Sequence, residues 1–427
     1  MSEVELYELD GGDEISHLFP DDLMFDQWMT LTDSWLAFLC EDLYQAILAE
    51  LRPSNRKPRS ELTDGIRAVV PTIIANLLVL HQQKSNGSRL VVQLERCKKT
   101  RYDRPNLRQL PEVVNVLERL GYIIRHEAVF KVKRTTIEAT DKLKRRLLIS
   151  NVNQSEIVRA DSEETIQLTA RPTVSWIGGK KLPKTLVDYK DTKRSKKIRE
   201  EMVMINCFLN SHSITLEDTP TPPFLLTRRF SLRRPSDRAR FDLHGRIYGG
   251  FWMTLKATER HRLRIDGESI IDLDFSNMFP RLAYCHVGLE APKGDQYAIP
   301  GLEGHRKGAK AGLSALLSYR TKMKSLPTRL KQLLPEGWTA SDLRKACISH
   351  HLGIASLFEK DFGLDLMFTE SCILLTTLRG LMEEGVPALP MHDGIMVPKS
   401  KEATAKLVMK AASKAVVGAE ILVTVKS

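Results

Sequence analysis

The sequence lacks several patterns that define common classes of protein. Its six cysteines are scattered and form no CxxC pair, which argues against a zinc site and favours free thiols in a reducing compartment. No segment reads as long and apolar enough to span a membrane, and the acidic N-terminus has no signal-peptide core. A phosphate-binding loop of the Walker type is also missing. These absences predict a cytoplasmic protein with no membrane partner.

Basic residues outnumber acidic ones. The 427 residues include 64 Lys and Arg against 53 Asp and Glu, which gives a formal net charge of +11. Such a balance favours a polyanionic partner such as nucleic acid. The length is sufficient for two or three domains.

Changes in composition divide the chain into four ranges. Residues 1–60 predict an N-terminal helical segment that ends in a Pro-rich break at 52–58. In residues 61–150, a helix ended by glycine precedes two short β-prone basic runs, which is the order of a winged helix. A generic small α+β unit explains this range equally well. Residues 151–240 form a basic connector with helices, and strands alternate with helices from 241 to 427.

An arginine-rich run lies near the end of the connector. Six arginines occur between positions 228 and 240, mixed with Phe230 and Leu232. A solvated loop is one interpretation, and the mixture with apolar residues favours contact with a phosphate backbone instead. The candidate nucleic-acid-binding residues of this run are Arg228, Arg229, Arg233 and Arg234.

Two aspartates stand in apolar surroundings. Asp274 follows a strand-like run, and a carboxylate there costs free energy unless an arginine, backbone amides or a metal ion holds it. Asp393 precedes Gly394 between apolar residues, a pattern that predicts a hairpin turn and needs no function to explain it. If that turn faces Asp274, two carboxylates on adjacent strands can hold two divalent cations about 4 Å apart.

Two further segments carry cations beside small residues. Residues 304–320 predict a helix with Arg306, Lys310, Ser314 and Ser318 on one face, because their spacing is four. Two cations one turn apart suit a polyphosphate, although a solvated basic face explains them as well. Around Arg246, glycines let the backbone approach a ligand closely, and a turn with a surface arginine is the alternative.

Taken in their order along the chain, these segments resemble the family A polymerases. This family includes the DNA polymerase I type and the single-subunit RNA polymerases of phages and mitochondria. DFSNMFPR at 274–281 is similar to the first catalytic motif, RKGAKAGLSALL at 306–317 to the fingers helix, and MHDGIMV at 391–397 to the HDE or HDS motif. DLHGRIYG at 242–249 resembles the DxRGRxY stretch. No proofreading exonuclease is recognisable in residues 1–240, as expected of short variants on mobile elements.

The resemblance implies an α+β fold. It would be a polymerase right hand with an antiparallel palm sheet and helical fingers in 241–427, and thumb-like helices in 151–240. The winged-helix-like region at 61–150 would bind nucleic acid.

The resemblance also assigns roles to residues. Asp274 and Asp393 would bind two Mg²⁺ ions, with Mn²⁺ as the alternative. Arg306 and Lys310 would bind the triphosphate, and Lys310 would protonate the leaving pyrophosphate. Three remaining matches would contact primer-template DNA: Arg246, Tyr248 and His392.

Three positions depart from the family pattern. Phe279 replaces the glutamate that blocks the ribose 2′-hydroxyl, and its ring is expected to stack on the sugar edge or, alternatively, to enter the core. Ser314 replaces the aromatic residue that stacks on the incoming base. Gly394 replaces an acidic residue after the second metal-binding aspartate. Phe279 and Ser314 are therefore expected to lie at the nucleotide-binding site.

The implied activity is that of a DNA polymerase, which extends a primer on a DNA template with nucleoside triphosphates during replication. A replication helicase or a small accessory protein is a candidate partner. A primase or RNA polymerase is the alternative, because the sugar-selecting glutamate is lost. A non-catalytic DNA-binding protein on a decayed polymerase fold is the other alternative, since Ser314 and Gly394 depart from the motifs.

Overall fold

The computed structural model describes residues 22–32, 36–51, 59–83, 87–94, 100–128, 134–149, 156–171, 176–177, 180–181, 184–217, 219–221 and 223–426. The predicted break at 52–58 and the acidic opening of the chain lie outside the described residues. The chain divides into two compact units. The N-terminal unit contains residues 12–164 and 219–225, and the C-terminal unit contains 165–218 and 226–427. The boundary between residues 164 and 165 falls inside the predicted range 151–240, which is thus divided between the two units.

Helices and strands occur in both units. The helices are α1 (Leu36–Leu51), α2 (Ser60–Gln83), α3 (Leu110–Arg119), α4 (Asp141–Ile149), α5 (Lys193–Asn210), α6 (Met278–His286), α7 (Arg306–Ser318), α8 (Thr328–Lys331), α9 (Ala340–His350), α10 (Gly363–Glu383) and α11 (Glu402–Val417). The strands are β1 (Leu23–Met24), β2 (Met29–Leu31), β3 (Leu90–Val91), β4 (Ile123–His126), β5 (Thr136–Ala139), β6 (Ile157–Arg159), β7 (Ile166–Ala170), β8 (Trp176–Ile177), β9 (Lys180–Lys181), β10 (Thr185–Leu186), β11 (Ile214–Leu216), β12 (Thr219–Pro220), β13 (Thr227–Leu232), β14 (His244–Tyr248), β15 (Leu263–Ile265), β16 (Glu268–Phe275), β17 (Leu389–Met391), β18 (Gly394–Pro398) and β19 (Val423–Val425).

Helix α2 forms the core of the N-terminal unit and corrects one expectation. Over Ser60–His81 it is long and apolar enough to cross a membrane, with a mean hydropathy of 1.5, although no such segment was predicted. Most of this stretch is buried, and its apolar side chains pack in one core with those of α1 and α3. Core helices of soluble proteins have the same length and composition, so the burial accounts for this helix without a membrane.

Residues 110–139 of the N-terminal unit follow the predicted order, in which a helix ended by glycine precedes two short strands. Helix α3 buries Val113, Val116 and Leu117 on one face, and Gly121 ends it with a φ of 70°, a conformation that favours glycine. Strands β4 and β5 then form an antiparallel hairpin. They lie in a four-stranded sheet with the order β1-β3-β5-β4.

The first sheet of the C-terminal unit has the order β10-β7-β13-β14. Strand β13 is parallel to β7 and antiparallel to β14. The structure divides the arginine-rich run, for which a solvated loop was one interpretation, between a strand and a loop. The first two arginines, Arg228 and Arg229, lie in β13, and the loop begins after Leu232.

The second sheet is antiparallel and has the order β11-β15-β16-β18-β17, with β19 also paired to β16. Burial alternates along the end of β16: Leu273 and Phe275 are buried, while Asp272 and Asp274, which alternate with them, are partly exposed on the other face. Helix α10 packs against α6, α11 and β14. The chain therefore has the predicted α+β class with antiparallel sheets.

Candidate active site

Asp274 lies in β16, and Asp393 lies in the turn that leads into the neighbouring strand β18. Strand β16 pairs with β18 so that Asp274 is opposite Gly394, and Asp393 directly precedes that glycine. The backbone N–H of Phe275 donates to the carbonyl of Asp393 at 3.3 Å. The two aspartates, 119 positions apart in the sequence, thus meet at one end of the sheet, as the order of the motifs predicted.

The hairpin turn differs by one position from the predicted Asp-Gly turn. Its two loop residues are His392 and Asp393, while Gly394 already belongs to β18. His392 has a φ of 55°, the left-handed conformation that the first loop residue of such a turn adopts. The shift places the carboxylate of Asp393 at the tip of the hairpin.

Gly394 is required by the close approach of the two strands. A Cβ at this position would lie 2.4 Å from the carbonyl oxygen of Leu273 and 3.3 Å from Oδ1 of Asp274. No larger residue fits there without separating β16 from β18. The departure from the family pattern at Gly394 therefore has a local steric cause.

The carboxyl group of Asp274 is poorly solvated. Burial, and then the neighbouring charge of Asp393, raise the pKa of Asp274 to about 8, while Lys426 and Lys310 oppose the shift. Its Oδ2 is 3.3 Å from Nζ of Lys426. Its Oδ1 is buried and accepts no hydrogen bond from any described residue. An acceptor in this state is available to a cation.

Asp272 is a third carboxylate that the sequence analysis did not identify. It lies on the same face of β16 as Asp274, two residues earlier. Burial raises its pKa, Lys426 and Arg260 oppose that shift, and Asp393 adds to it. Arg260 contacts its Oδ2 at 3.5 Å, and its buried Oδ1 accepts no hydrogen bond within the described chain.

Two carboxylates, those of Asp274 and Asp393, are the number of protein ligands that Mg²⁺ usually has. The described residues contain no group of three or more His, Cys, Asp or Glu side chains arranged to hold a metal ion. Mg²⁺ usually binds through one or two carboxylates, with waters and substrate phosphates as the other ligands. The unsatisfied Oδ1 of Asp274 supplies a ligand atom of this kind.

Helix α7 places one of its two cations, Lys310, within electrostatic reach of Asp274. Arg306 starts the helix, binds Asp295 through two contacts of 2.5 and 3.0 Å, and lies 5.3 Å from the centre of the Tyr297 ring. One turn later, Nζ of Lys310 is 5.8 Å from the same ring. The charge of Lys310 reaches Asp274 and lowers its pKa. The predicted cationic helix face is therefore present beside the predicted carboxylates.

Phe279 and Ser314 do not lie where the resemblance places them. The ring of Phe279 is 1% exposed, and its centre is 5.8 Å from the guanidinium of Arg246. Ser314 is also buried, and its hydroxyl has no hydrogen-bond partner in the described structure. Neither side chain can contact a nucleotide from these positions. Stacking of Phe279 on a sugar is therefore corrected to packing in the core.

We expect Phe279→Ala to destabilise the protein by about 3–5 kcal/mol, because truncation of a buried phenylalanine loses apolar contacts and leaves a cavity. The ratio of deoxyribonucleotide to ribonucleotide use should stay the same. Thermal denaturation and paired incorporation assays measure both quantities. Phe279→Leu, which keeps most of the volume, serves as the matched control. A sharp rise in ribonucleotide use without loss of stability would contradict the packing role.

Two arginines predicted to contact DNA are buried instead. Arg246 is 2% exposed and donates to Glu370 of α10 at 2.7 and 2.9 Å. Arg228 donates to the carbonyl of Gly245 at 3.0 Å and to the hydroxyl of Ser371 at 3.2 Å. Their guanidinium groups are engaged inside the unit, so both predictions of DNA contact are corrected to structural roles.

His392 is also largely buried, which corrects its prediction as a DNA contact. Burial, and then the charge of Arg246, lower its pKa to about 3, so the imidazole is neutral at neutral pH. Its ring meets that of Tyr248 edge-on at 5.8 Å. Tyr248 is partly exposed, and the guanidinium of Arg229 lies 4.3 Å from its ring centre.

The two arginines that follow β13 differ in their surroundings. Arg233 forms ion pairs with Asp365 at 2.5 Å and with Asp361 at 3.7 Å. The side chain of Arg234 is exposed and makes no ion pair with any described residue. Of the four arginines predicted to bind DNA, Arg234 is the one whose charge is fully presented to solvent.

No protein-family model matches the chain, and no curated protein matches it. The geometry of Asp274, Asp393 and helix α7 is therefore the basis for assigning a function.

Proposed function

We propose that the chain is a template-directed nucleotidyltransferase, a DNA polymerase that extends a primer by two-metal phosphoryl transfer. The observation that carries the proposal is that Asp393, in the turn before β18, meets Asp274 of the paired strand β16, where a carboxylate oxygen is unsatisfied and the charge of Lys310 acts. The resemblance of the sequence motifs to those of family A polymerases supports the same function, and β16, β17, β18 and β19 would form the palm.

Each residue of the site has a part in this reaction. Asp274 and Asp393 would hold the divalent ions, which supply a lowered pKa for the attacking 3′-hydroxyl and neutralise charge on the pyrophosphate. Lys310 and Arg306 bind the β- and γ-phosphates, and Lys310 donates a proton to the leaving group. A triphosphate competes with Asp295 for Arg306, because the guanidinium already holds that carboxylate.

Nucleic acid binding is assigned to exposed cations. The net charge of +11 favours a polyanion. In the loop that follows β13, Arg234 and Arg238 are exposed, and their charges are suited to phosphate contacts that carry no sequence information.

Replacing Arg234 and Arg238 together with alanine should make the salt dependence of DNA binding shallower. Each lost phosphate contact lowers the slope of log affinity against log salt by about 0.9, so the double variant should lose up to about 2. Fluorescence anisotropy at several salt concentrations gives the slope. Arg262→Ala/Arg329→Ala, which removes one partly exposed and one exposed arginine elsewhere, is the control. Equal slopes in wild type and the Arg234/Arg238 variant would place that loop outside the interface.

The N-terminal unit is proposed to bind duplex DNA as a winged helix. Helix α3 followed by the β4–β5 hairpin supports this assignment. The exposed side chains of α3 include Asn115 and Arg119, whereas Lys144 and Arg145 are exposed on α4. Basic charge is therefore concentrated after the hairpin, and α4 is the part of this unit that best suits a phosphate backbone.

Use of ribonucleotides, as in a primase or RNA polymerase, is the second candidate. The burial of Phe279 favours it, because the side chain at the sugar-selecting position is withdrawn into the core. A site without that barrier has no steric reason at this position to reject a 2′-hydroxyl.

An extension assay tests these functions together. The chain is incubated with Mg²⁺ and a labelled template, with and without a primer, and with either deoxyribonucleotides or ribonucleotides. Primer-dependent extension with deoxyribonucleotides supports the polymerase. Products made without a primer from ribonucleotides support the primase. Binding of DNA without incorporation of either sugar would leave a non-catalytic DNA-binding protein and refute the proposal.

A further inference from the structure

Lys426 reaches the candidate active site from the strand on the other side of β16. Strand β19 pairs with β16 in a register that sets Leu273 against Val425 and Asp274 against Thr424. Lys426 follows directly, and its backbone N–H donates to the carbonyl of Asp272 at 2.8 Å. Its side chain turns to Asp274, with Nζ at 3.3 Å from Oδ2.

The ammonium group of Lys426 lies among three carboxylates. Its Nζ contacts Asp274, and the charges of Asp393 and Asp272 also act on it. Two other cations interact with these carboxylates. Arg260 contacts Asp272, and the charge of Lys310 acts on Asp274. Lys426 contacts Asp274 directly.

The two oxygens of Asp274 are therefore unequal. Oδ1 is buried and unsatisfied, whereas Oδ2 is occupied by the ammonium. A divalent ion bound through Oδ2 would have to take the place of the ammonium group, and the ammonium charge beside Oδ2 repels a cation that approaches either oxygen. The side chain of Lys426 is 33% exposed, so its four-carbon stem has solvent on one side into which it can withdraw.

We infer that Lys426 is a built-in counter-ion that occupies the position of one divalent ion on Asp274 and competes with that ion. It is a positioning residue. Its positive charge balances the negative charge of the carboxylates while metal is absent, and its ammonium group moves away from Oδ2 when metal binds. This inference rests on the proposed function, since it concerns the same metal site. It goes beyond that function by naming the group that a divalent ion must displace.

The test is Mn²⁺ binding to the whole chain without nucleotide, followed by electron paramagnetic resonance of the free ion. Lys426→Met removes the competing charge and should tighten Mn²⁺ binding by about tenfold or more. Lys426→Arg keeps the charge and should bind within about twofold of wild type. Lys414→Met, which removes an exposed lysine paired with Glu420 on the same unit, should change nothing. Thermal denaturation without metal establishes that each variant is folded.

Two outcomes separate this inference from the proposed function. If Asp274→Asn abolishes Mn²⁺ binding while Lys426→Met leaves it unchanged or weaker, the metal site stands and the counter-ion role is overturned. If Mn²⁺ binding is insensitive to Asp274→Asn, the metal site itself is overturned, and the counter-ion role with it. Tighter binding in Lys426→Met and wild-type binding in Lys426→Arg establish the competition.

Discussion

Asp393→Asn should lower the rate of nucleotide incorporation by at least about a thousandfold. The change removes a negative charge from the hairpin tip beside Asp274, and a metal ligand of this kind contributes several kcal/mol of transition-state stabilisation. A loss of about 4 kcal/mol corresponds to a thousandfold in rate. Asparagine has nearly the same shape, so the turn itself should persist.

Single-turnover extension of a primed template measures this effect. Melting temperature and affinity for the primer-template should remain close to those of the wild type, which separates loss of chemistry from loss of fold. Glu290→Gln, which neutralises an exposed acidic residue of the same unit, is the matched control and should extend normally. Normal extension by Asp393→Asn would show that its carboxylate has no metal role.

The second large effect is expected from Glu370→Leu, which leaves Arg246 charged and unpaired in the interior. Both side chains are almost completely buried and share two hydrogen bonds. Breaking such a pair from one side costs about 3–5 kcal/mol. For a unit of this size the melting temperature should fall by about 10 °C.

A double variant distinguishes the effect of an unpaired buried charge from the effect of lost side-chain volume. In Arg246→Met/Glu370→Leu no buried charge remains, so most of the stability should return. Arg262→Met breaks an exposed ion pair with Glu217 and should cost less than about 1 kcal/mol. Equal destabilisation in the single and double variants would mean that packing, rather than an unpaired charge, dominates at this position.

Local patterns predicted the elements of the site. Apolar periodicity and glycine placement predicted α3 and its end at Gly121, and the spacing of four on residues 304–320 predicted α7. Alternation and the polar turn predicted the β17–β18 hairpin with Asp393 near its tip. These features depend on neighbours within a few positions, and the sequence displays those neighbours directly.

Burial of charged side chains could not be predicted in the same way. The arginines of β13 look like those of a solvated run, because the groups that hold Arg228 come from residues 245 and 371. The partner of Arg246 is Glu370, 124 positions away. A lone glutamate in the apolar stretch of α10 is the signal that could have indicated a buried partner, since an unpaired carboxylate there is costly.

Asp272 and Lys426 were missed for a related reason. The family motif begins at Asp274, so the preceding aspartate carried no assigned role, although the strand period of two places both on one face. Lys426 belongs to a strand that follows α11 by several residues, and its pairing with β16 depends on tertiary register. A single lysine after a short β-prone run has no sequence signature for such a contact.

The strands β18 and β19, which pair with the two sides of β16, are synthesised at different times. Strand β18 is complete by Pro398, whereas β19 spans Val423–Val425 and is separated from it by helix α11. Until β19 emerges from the ribosome, the edge of β16 at Leu273–Phe275 has unpaired backbone groups that can pair with another chain. During translation the carboxylates are therefore brought together before Lys426 is added, and the edge of β16 at Leu273–Phe275 stays unpaired until β19 is made.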